Sequence, residues 1–294
     1  MPPLSLKALL PVIKAALRED AAWRDVTSRA VLPANLRIRA RIIAKTSGAL
    51  AGVKLAALVF TAQDRSLRCR LHLRSGASLS PGKPILTIEG RARSIFAAER
   101  TALNFLGHLS GIATLTRAYV RRVRGTRAVI LDTRKTLPGL RALEKHAVRT
   151  GGGHSHRADL AGAVLIKTNH LNVLGQGTRD KGQAIQRAVK QAKRWFPGWF
   201  IEVEVTTLRQ FQSALAARPR AILLDNMSLR DVRRAVHLSR LSRPMSHTPR
   251  PLLEVSGGVT LANVRAYARA GVDRISVGRL THSAPALNVS LEVM

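Results

Sequence analysis

Apolar residues near the amino terminus recur at helical spacing. Leu6, Leu9, Leu10, Ile13 and Leu17 share one stripe and predict a helix over 6–18 that Pro11 limits or bends. A turn follows at Asp25-Val26-Thr27-Ser28. The period then drops to two: over 36–44, Arg37, Arg39 and Arg41 alternate with apolar residues, and further strands are predicted over 67–73 and, after the Pro81-Gly82 turn, over 84–88. Together these segments predict a small, largely antiparallel sheet. The stretch 93–122 reads as a helix interrupted around Gly107 and Ser110-Gly111, long enough to bridge two domains.

Beyond Gly125 the rhythm changes. Short apolar runs at 128–131, 163–166, 201–205, 221–224, 252–255 and 274–277 alternate with helical stretches, the signature of βα units and a parallel sheet. Runs this continuously apolar predict strands covered on both faces, as in a (β/α) barrel or a doubly wound sheet. Polar residues end nearly every run: Asp132 with Arg134 and Lys135, then Lys167, Glu204, Asp225, Ser256-Gly257-Gly258 and Gly278-Arg279. A barrel assembles its site at the carboxyl ends of several strands, whereas a doubly wound sheet concentrates it at one switch point, so this distribution favours a barrel enzyme. Residues 238–251, rich in Ser, Arg, Pro and His, read as an exposed basic loop. No repeat of solenoid period is present.

With 294 residues the chain exceeds a typical domain of about 100–200, which fits one large barrel or two domains. A hydrophobic fraction of 46% with 22% charged residues excludes a disordered or collagen-like chain, and the lone Cys69 excludes a disulfide scaffold or a cysteine-rich metal site. No apolar run reaches the roughly 18–20 residues of a membrane span, and the amino terminus carries no cleavage signal, so the cytoplasm is the expected location. The charge alters the picture more: 49 Lys and Arg against 17 Asp and Glu leave +32, and anionic partners are expected. Nucleic acid is one such partner. Against it, the cations are scattered through every segment and aromatics make up only 4% of the chain, leaving few rings to stack on bases. The charge therefore reads as a solvated surface with one or more anion pockets.

Five constellations could carry chemistry. Asp132-Thr133-Arg134-Lys135-Thr136 holds two cations at the exit of a strand, where Arg can grip a carboxylate through two hydrogen bonds and Lys offers a compact charge for phosphate. Gly151-Gly152-Gly153-His154-Ser155-His156-Arg157 combines glycines that allow close backbone approach with a histidine and an arginine; it matches no dinucleotide or phosphate-loop motif, and its His-x-His pair lacks further zinc ligands. Lys167 ends its run either as a nucleophile or as a phosphate contact. Glu202 and Glu204 share one strand face; Glu204, with Asp225, offers oxygen ligands for Mg²⁺ or for hydroxyl groups, while Glu202 reads as an interior carboxylate paired with a cation. The glycine turns at 256–259 and 276–279 suit a phosphate.

These segments, with Glu99-Arg100-Thr101-Ala102-Leu103-Asn104-Phe105-Leu106 and Ser110-Gly111-Ile112-Ala113-Thr114, resemble the quinolinate phosphoribosyltransferase family nearly end to end. The resemblance implies an α/β fold in two parts. An amino-terminal α/β open sandwich would span 1–112, an incomplete seven-stranded (β/α) barrel 113–280, and 281–294 would pack back on the first domain. It implies transfer of phosphoribosyl from phosphoribosyl pyrophosphate to quinolinate with decarboxylation, Mg²⁺ as cofactor, and a homodimer with shared sites. Arg134, His156, Arg157 and Lys167 match the quinolinate pocket, with Arg100 supplied by the partner subunit. Lys135, Glu204, Asp225, Ser256, Gly257, Gly258 and Gly278 match phosphoribosyl, metal and phosphate positions, and Lys135, Lys167, Glu204 and Asp225 carry the catalytic expectation. The sequence departs from the family pattern at Thr168 and Asn288, each where Asp is common, and at Arg24, where Gly is. A paralogue acting on another heterocyclic acid is the neighbouring alternative, and a nucleic-acid-binding barrel is the alternative of a different class.

Overall fold

A computed structural model describes residues 6–175, 181–242 and 250–294. The chain forms two compact units, one comprising residues up to 117 with 135–152 and 279–294, the other 118–134 with 153–278. The segment 135–152, placed with the barrel by the sequence reading, thus groups with the first unit.

In the first unit, strands β1 (Arg37–Ala44), β3 (Arg68–Leu71), β5 (Pro84–Arg91) and β12 (Val289–Val293) form an antiparallel sheet in the order β12-β1-β5-β3, beside a small β2 (Gly48–Ala49) and β4 (Ser78–Leu79) pair. Helix α1 (Leu6–Glu19) runs through Pro11, which lies on its exposed side. Asp25 caps α2 (Val26–Val31), its carboxylate accepting from the Ser28 amide at 3.0 Å, so the expected turn opens a short helix. Helix α3 (Val53–Gln63) buries Leu55, Ala56, Val59 and Phe60.

Helix α4 (Ala92–Arg122) is continuous where an interruption was expected. Its small residues serve packing instead. Leu287 donates its amide to the Gly107 carbonyl at 2.9 Å, and a Cβ on Gly107 would stand 2.9 Å from the Leu287 oxygen; Gly111 faces Pro285 in the same way. Ser110 Oγ and Thr114 Oγ1 accept from the amides of Ala51 (3.0 Å) and Ala49 (2.8 Å). Helix α5 (Arg141–Thr150) also packs on α4 through Gly151, where a Cβ would lie 2.7 Å from Thr116 Cβ, and α11 (Arg279–His282) packs on α5.

The second unit is built on a parallel sheet of β6 (Val129–Leu131), β7 (Val164–Ile166), β8 (Ile201–Val205), β9 (Ala221–Asp225), β10 (Leu252–Ser256) and β11 (Arg274–Ser276), in the order β6-β11-β10-β9-β8-β7. His154 adds a seventh rung by a single parallel bridge to Leu131. Helices α6 (Thr168–Leu174), α7 (Lys181–Trp195), α8 (Leu208–Ala217), α9 (Leu229–Leu241) and α10 (Val264–Ala270) connect the strands. The basic loop expected at 238–251 falls largely outside the described residues, at 243–249; α9 extends to Leu241.

Register divides this sheet into two unlike faces. Paired residues in parallel strands project to the same side, so Val203, Ile222, Leu224, Leu253, Val255, Ile275 and Ile130 make one apolar, buried face. The other face carries Glu202, Glu204, Asp225, Glu254, Ser256, Arg274 and Ser276. The expectation of strands apolar on both faces holds for β6, β7 and β9 up to Asp225 and is corrected in β8, β10 and β11, where polar and ionisable residues alternate with apolar ones and share one side.

Candidate active site

The charged face is layered along the strands. Glu254 pairs in register with Leu223 and Arg274, and Glu204 with Leu223, which sets these residues at one level; Asp225, Ser256 and Ser276 follow one level nearer the carboxyl ends. Lys167 continues the register of β7 (Leu165 with Glu202, Ile166 with Val203) to fall beside Glu204.

The deeper part of the face is an ionic network. Arg274 Nε lies 2.9 Å from Glu254 Oε2, Ser276 Oγ donates to Glu254 Oε1 in a short bond, and His156 Nε2 lies 2.9 Å from Glu202 Oε2 and 3.5 Å from Glu254 Oε1. Both carboxyls are buried. Burial, then the adjacent Glu202 carboxylate, pushes Glu254 up to about 7, and burial raises Glu202 as well. Burial and mutual repulsion favour the protonated form of these two carboxyls, and Arg274 meets the negative charge on Glu254. His156, Glu202 and Glu254 are the group of metal-ligand type that lies together among the described residues, with ligand atoms within 4.8 Å of one another, but the guanidinium of Arg274 already supplies the charge a cation would bring. The interior reading of Glu202 fits this network.

Nearer the strand ends the arrangement changes sign and exposure. Arg157 is half-buried, and its pKa is lowered by burial and then by the neighbouring Arg134 guanidinium. One Arg157 nitrogen donates to the Ala163 carbonyl at 3.0 Å, which fixes the side chain. Two guanidiniums crowded together make a place that an anion relieves, and Lys167 stands exposed at the end of β7. The Asp132 carboxylate, buried at the end of β6, accepts from the His156 amide at 2.9 Å and ties that segment down.

Glu204 and Asp225 stand half-exposed on adjacent strands. Glu204 Oε1 accepts from both the amide (3.0 Å) and the hydroxyl (2.7 Å) of Thr168, and Asp225 Oδ2 accepts from Asn226 Nδ2 at 3.1 Å. This gives Thr168 a definite role: where a carboxylate would face Glu204, a donor does. Two half-exposed carboxylates on the same sheet face form the hard oxygen donor set that suits Mg²⁺.

The glycine turn after β10 is shaped by its neighbours. Gly257 (φ +86°) lies against the Asn226 side chain, with no room for a Cβ, and Gly258 (φ +60°) opens to free space. Asn226 donates its amide to the Ser256 carbonyl at 2.9 Å, and Asn263 Nδ2 donates to the Gly258 carbonyl at 3.0 Å. Gly278 follows β11, where the Val277 amide donates to the Leu131 carbonyl at 2.9 Å.

The second unit therefore gathers Arg134, His156, Arg157, Lys167, Glu204, Asp225, Ser256, Gly257, Gly258 and Gly278 in one strand-end region. Lys135 and Arg100 belong to the first unit. There the Lys135 carbonyl accepts from Thr281 Oγ1 at 2.6 Å, and Arg100 lines a cavity of about 330 Å³ with Glu19, Asp20, Phe105 and His108. Two expectations change. The glycines before His154 do not act alike: Gly151 packs against α4, and Gly152 takes the left-handed φ of +93° that ends α5. His156, expected as a direct contact, has both ring nitrogens engaged, since Nδ1 accepts from the Arg157 amide at 2.8 Å. Glu254 and Arg274 were not singled out from the sequence; the alternation in Leu252-Leu253-Glu254-Val255-Ser256 is the signal that marks Glu254.

Known proteins sharpen this picture. The profile described as quinolinate phosphoribosyl transferase, C-terminal domain, matches residues 112–292, and the corresponding N-terminal domain matches 25–110. The chain is 41% identical over 284 residues to the nicotinate-nucleotide pyrophosphorylase [carboxylating] of Mycobacterium leprae, covering 96% of this chain and 95% of that one. It is 37% identical over 290 residues to quinolinate phosphoribosyltransferase [decarboxylating] 1b of Nicotiana tabacum, covering 96% and 81%. The solved structure of NadC from Streptococcus pyogenes superposes with a TM-score of 0.89 at 36% identity, covering 100% of this chain and 99% of that one.

Proposed function

The chain belongs to the quinolinate phosphoribosyltransferase family, and from that premise we propose that its strand-end region binds quinolinate and phosphoribosyl pyrophosphate in two adjoining parts. The reaction yields nicotinate mononucleotide, pyrophosphate and CO₂, a step of de novo NAD synthesis. The observation that carries the assignment of residues is the crowding of Arg134 and Arg157, because a pyridine bearing two carboxylates is the ligand that several fixed cations fit.

In this reading Arg134, Arg157 and Lys167 hold the carboxylates and turn the ring nitrogen toward the anomeric carbon. Arg100 of a second copy completes the pocket, making the working unit a homodimer. The nitrogen's lone pair forms the N–C bond as the bond from the anomeric carbon to pyrophosphate breaks. Glu204 and Asp225 lie where positive charge develops on the ribose and stabilise it. Both also hold Mg²⁺, which supplies charge for the departing pyrophosphate. Lys135 assists that departure, and the Ser256, Gly257, Gly258 and Gly278 backbone receives phosphate. The quaternised ring then accepts the electron pair released as the carboxylate beside the nitrogen leaves as CO₂, and that ring carbon takes a proton. No base is needed at the nitrogen. The cytoplasm, which holds both substrates in soluble form, is the proposed location; no helix among the described residues is long and apolar enough to cross a membrane.

The test is product formation from quinolinate, phosphoribosyl pyrophosphate and Mg²⁺, with nicotinate in parallel. Nicotinate mononucleotide is expected from quinolinate alone and is lost on chelating the metal. Equal turnover of nicotinate would assign the pocket to a monocarboxylate.

A further inference from the structure

The ring of His156 is held from both sides by protein. A backbone amide can only donate, so the Arg157 N–H at 2.8 Å requires a lone pair on Nδ1. The proton then sits on Nε2, which points at Glu202 Oε2 at 2.9 Å. The neighbouring charged groups fit this tautomer: Glu202 from β8 accepts, Glu254 from β10 lies 3.5 Å away, and Arg274 from β11 reaches Glu254. An imidazolium would have to give up the Arg157 amide bond, because a protonated Nδ1 has no lone pair to offer.

The same contacts show what the ring does. The His156 amide donates to Asp132 at the end of β6, its Nε2 reaches Glu202 on β8, and its Nδ1 holds the amide of Arg157, whose guanidinium is itself fixed on the Ala163 carbonyl. The segment that presents Arg157 is thus braced to two strands. We infer that His156 is a neutral, Nε2-protonated positioning residue that fixes Arg157, and that it brings no charge to the substrate's carboxylates. The positioning part rests on the proposed binding of quinolinate by Arg157; the state of the ring does not.

The direct test is ¹⁵N NMR of the wild-type protein labelled at histidine, with the His156 signals identified by their loss in His156→Gln. A pyridine-type Nδ1 and a pyrrole-type Nε2 are expected at about pH 7. Two pyrrole-type nitrogens at about pH 7, or a proton on Nδ1, would overturn the inference. Kinetics supply the second reading: His156→Ala should raise the quinolinate KM about 10-fold or more and leave the phosphoribosyl pyrophosphate KM within about 2-fold. His156→Gln, which can donate to Glu202 but never carries charge, should recover most of that loss. A glutamine variant as impaired as alanine, together with rescue by His156→Lys, would mean that charge is what the position supplies. Wild-type turnover of quinolinate in the same preparation tests the functional reading separately, since the NMR result needs no substrate.

Discussion

Each unit contains a sheet whose strands alternate charged and apolar residues, and the alternation means opposite things in the two. In β1 the charged positions Arg37 and Arg39 face solvent, and Arg39 meets Glu89 at 2.9 Å with both side chains about half exposed (50% and 47%). In β8, β10 and β11 the charged positions Glu202, Glu254 and Arg274 point into the sheet's inner face, where the two carboxyls are buried. The first pattern is an ordinary half-solvated sheet, with ion pairs screened by water. The second carries a desolvation cost that only complete internal pairing offsets, and it supports the cations of the candidate site. Period alone does not separate the cases. Burial does: Arg39 and Glu89 are about half exposed, whereas Glu202 and Glu254 are buried against Arg274 and His156.

Breaking one member of each pattern should separate the two sheets. Glu254→Ala leaves Arg274 without its partner in a buried place and should cost about 3–5 kcal/mol, read as a large fall in the urea midpoint. A smaller effect follows from protonation. Glu254 titrates near 7 in the folded chain against an ordinary value of 4.5, so the folded state holds a proton that the unfolded state has lost. Its contribution to stability is complete below about pH 4.5 and is lost as pH rises toward about 7. The whole change is on the order of 3 kcal/mol, and Glu254→Gln should remove that slope from stability measured against pH. The smallest effect belongs to the other sheet: Arg39→Ala should change stability by no more than about 0.5 kcal/mol at any salt concentration. Equal costs for Glu254→Ala and Arg39→Ala would erase the distinction.

Much of the molecule was legible before its structure. The strand ends at Lys167, Glu204, Asp225 and Ser256 were visible because a polar residue closes each apolar run, and each falls where the sheet places it. Helix α3 was missed because Val53, Leu55, Ala56, Val59 and Phe60 are all buried, so its sequence is apolar around most of its circumference and shows no amphipathic stripe. The break predicted in α4 treated Gly107 and Gly111 by backbone propensity, whereas they are small because the chain at 285–287 crosses there. Arg274 was hidden in a three-residue strand, too short to show alternation. The tautomer of His156 lies wholly beyond sequence, since it depends on the next residue's amide and on a carboxylate 46 positions further along the chain.

The central claim is that one end of the inner face divides into a cationic part for quinolinate and an acidic part for the ribose and its metal. The most direct measurement is the pair of Michaelis constants in Arg134→Ala and Glu204→Gln. The account predicts that Arg134→Ala raises the quinolinate KM by about 100-fold or more with little change for phosphoribosyl pyrophosphate, and that Glu204→Gln lowers kcat at nearly unchanged quinolinate KM. Loss of affinity for both substrates alike in Arg134→Ala, with Glu204→Gln near wild type, would contradict it.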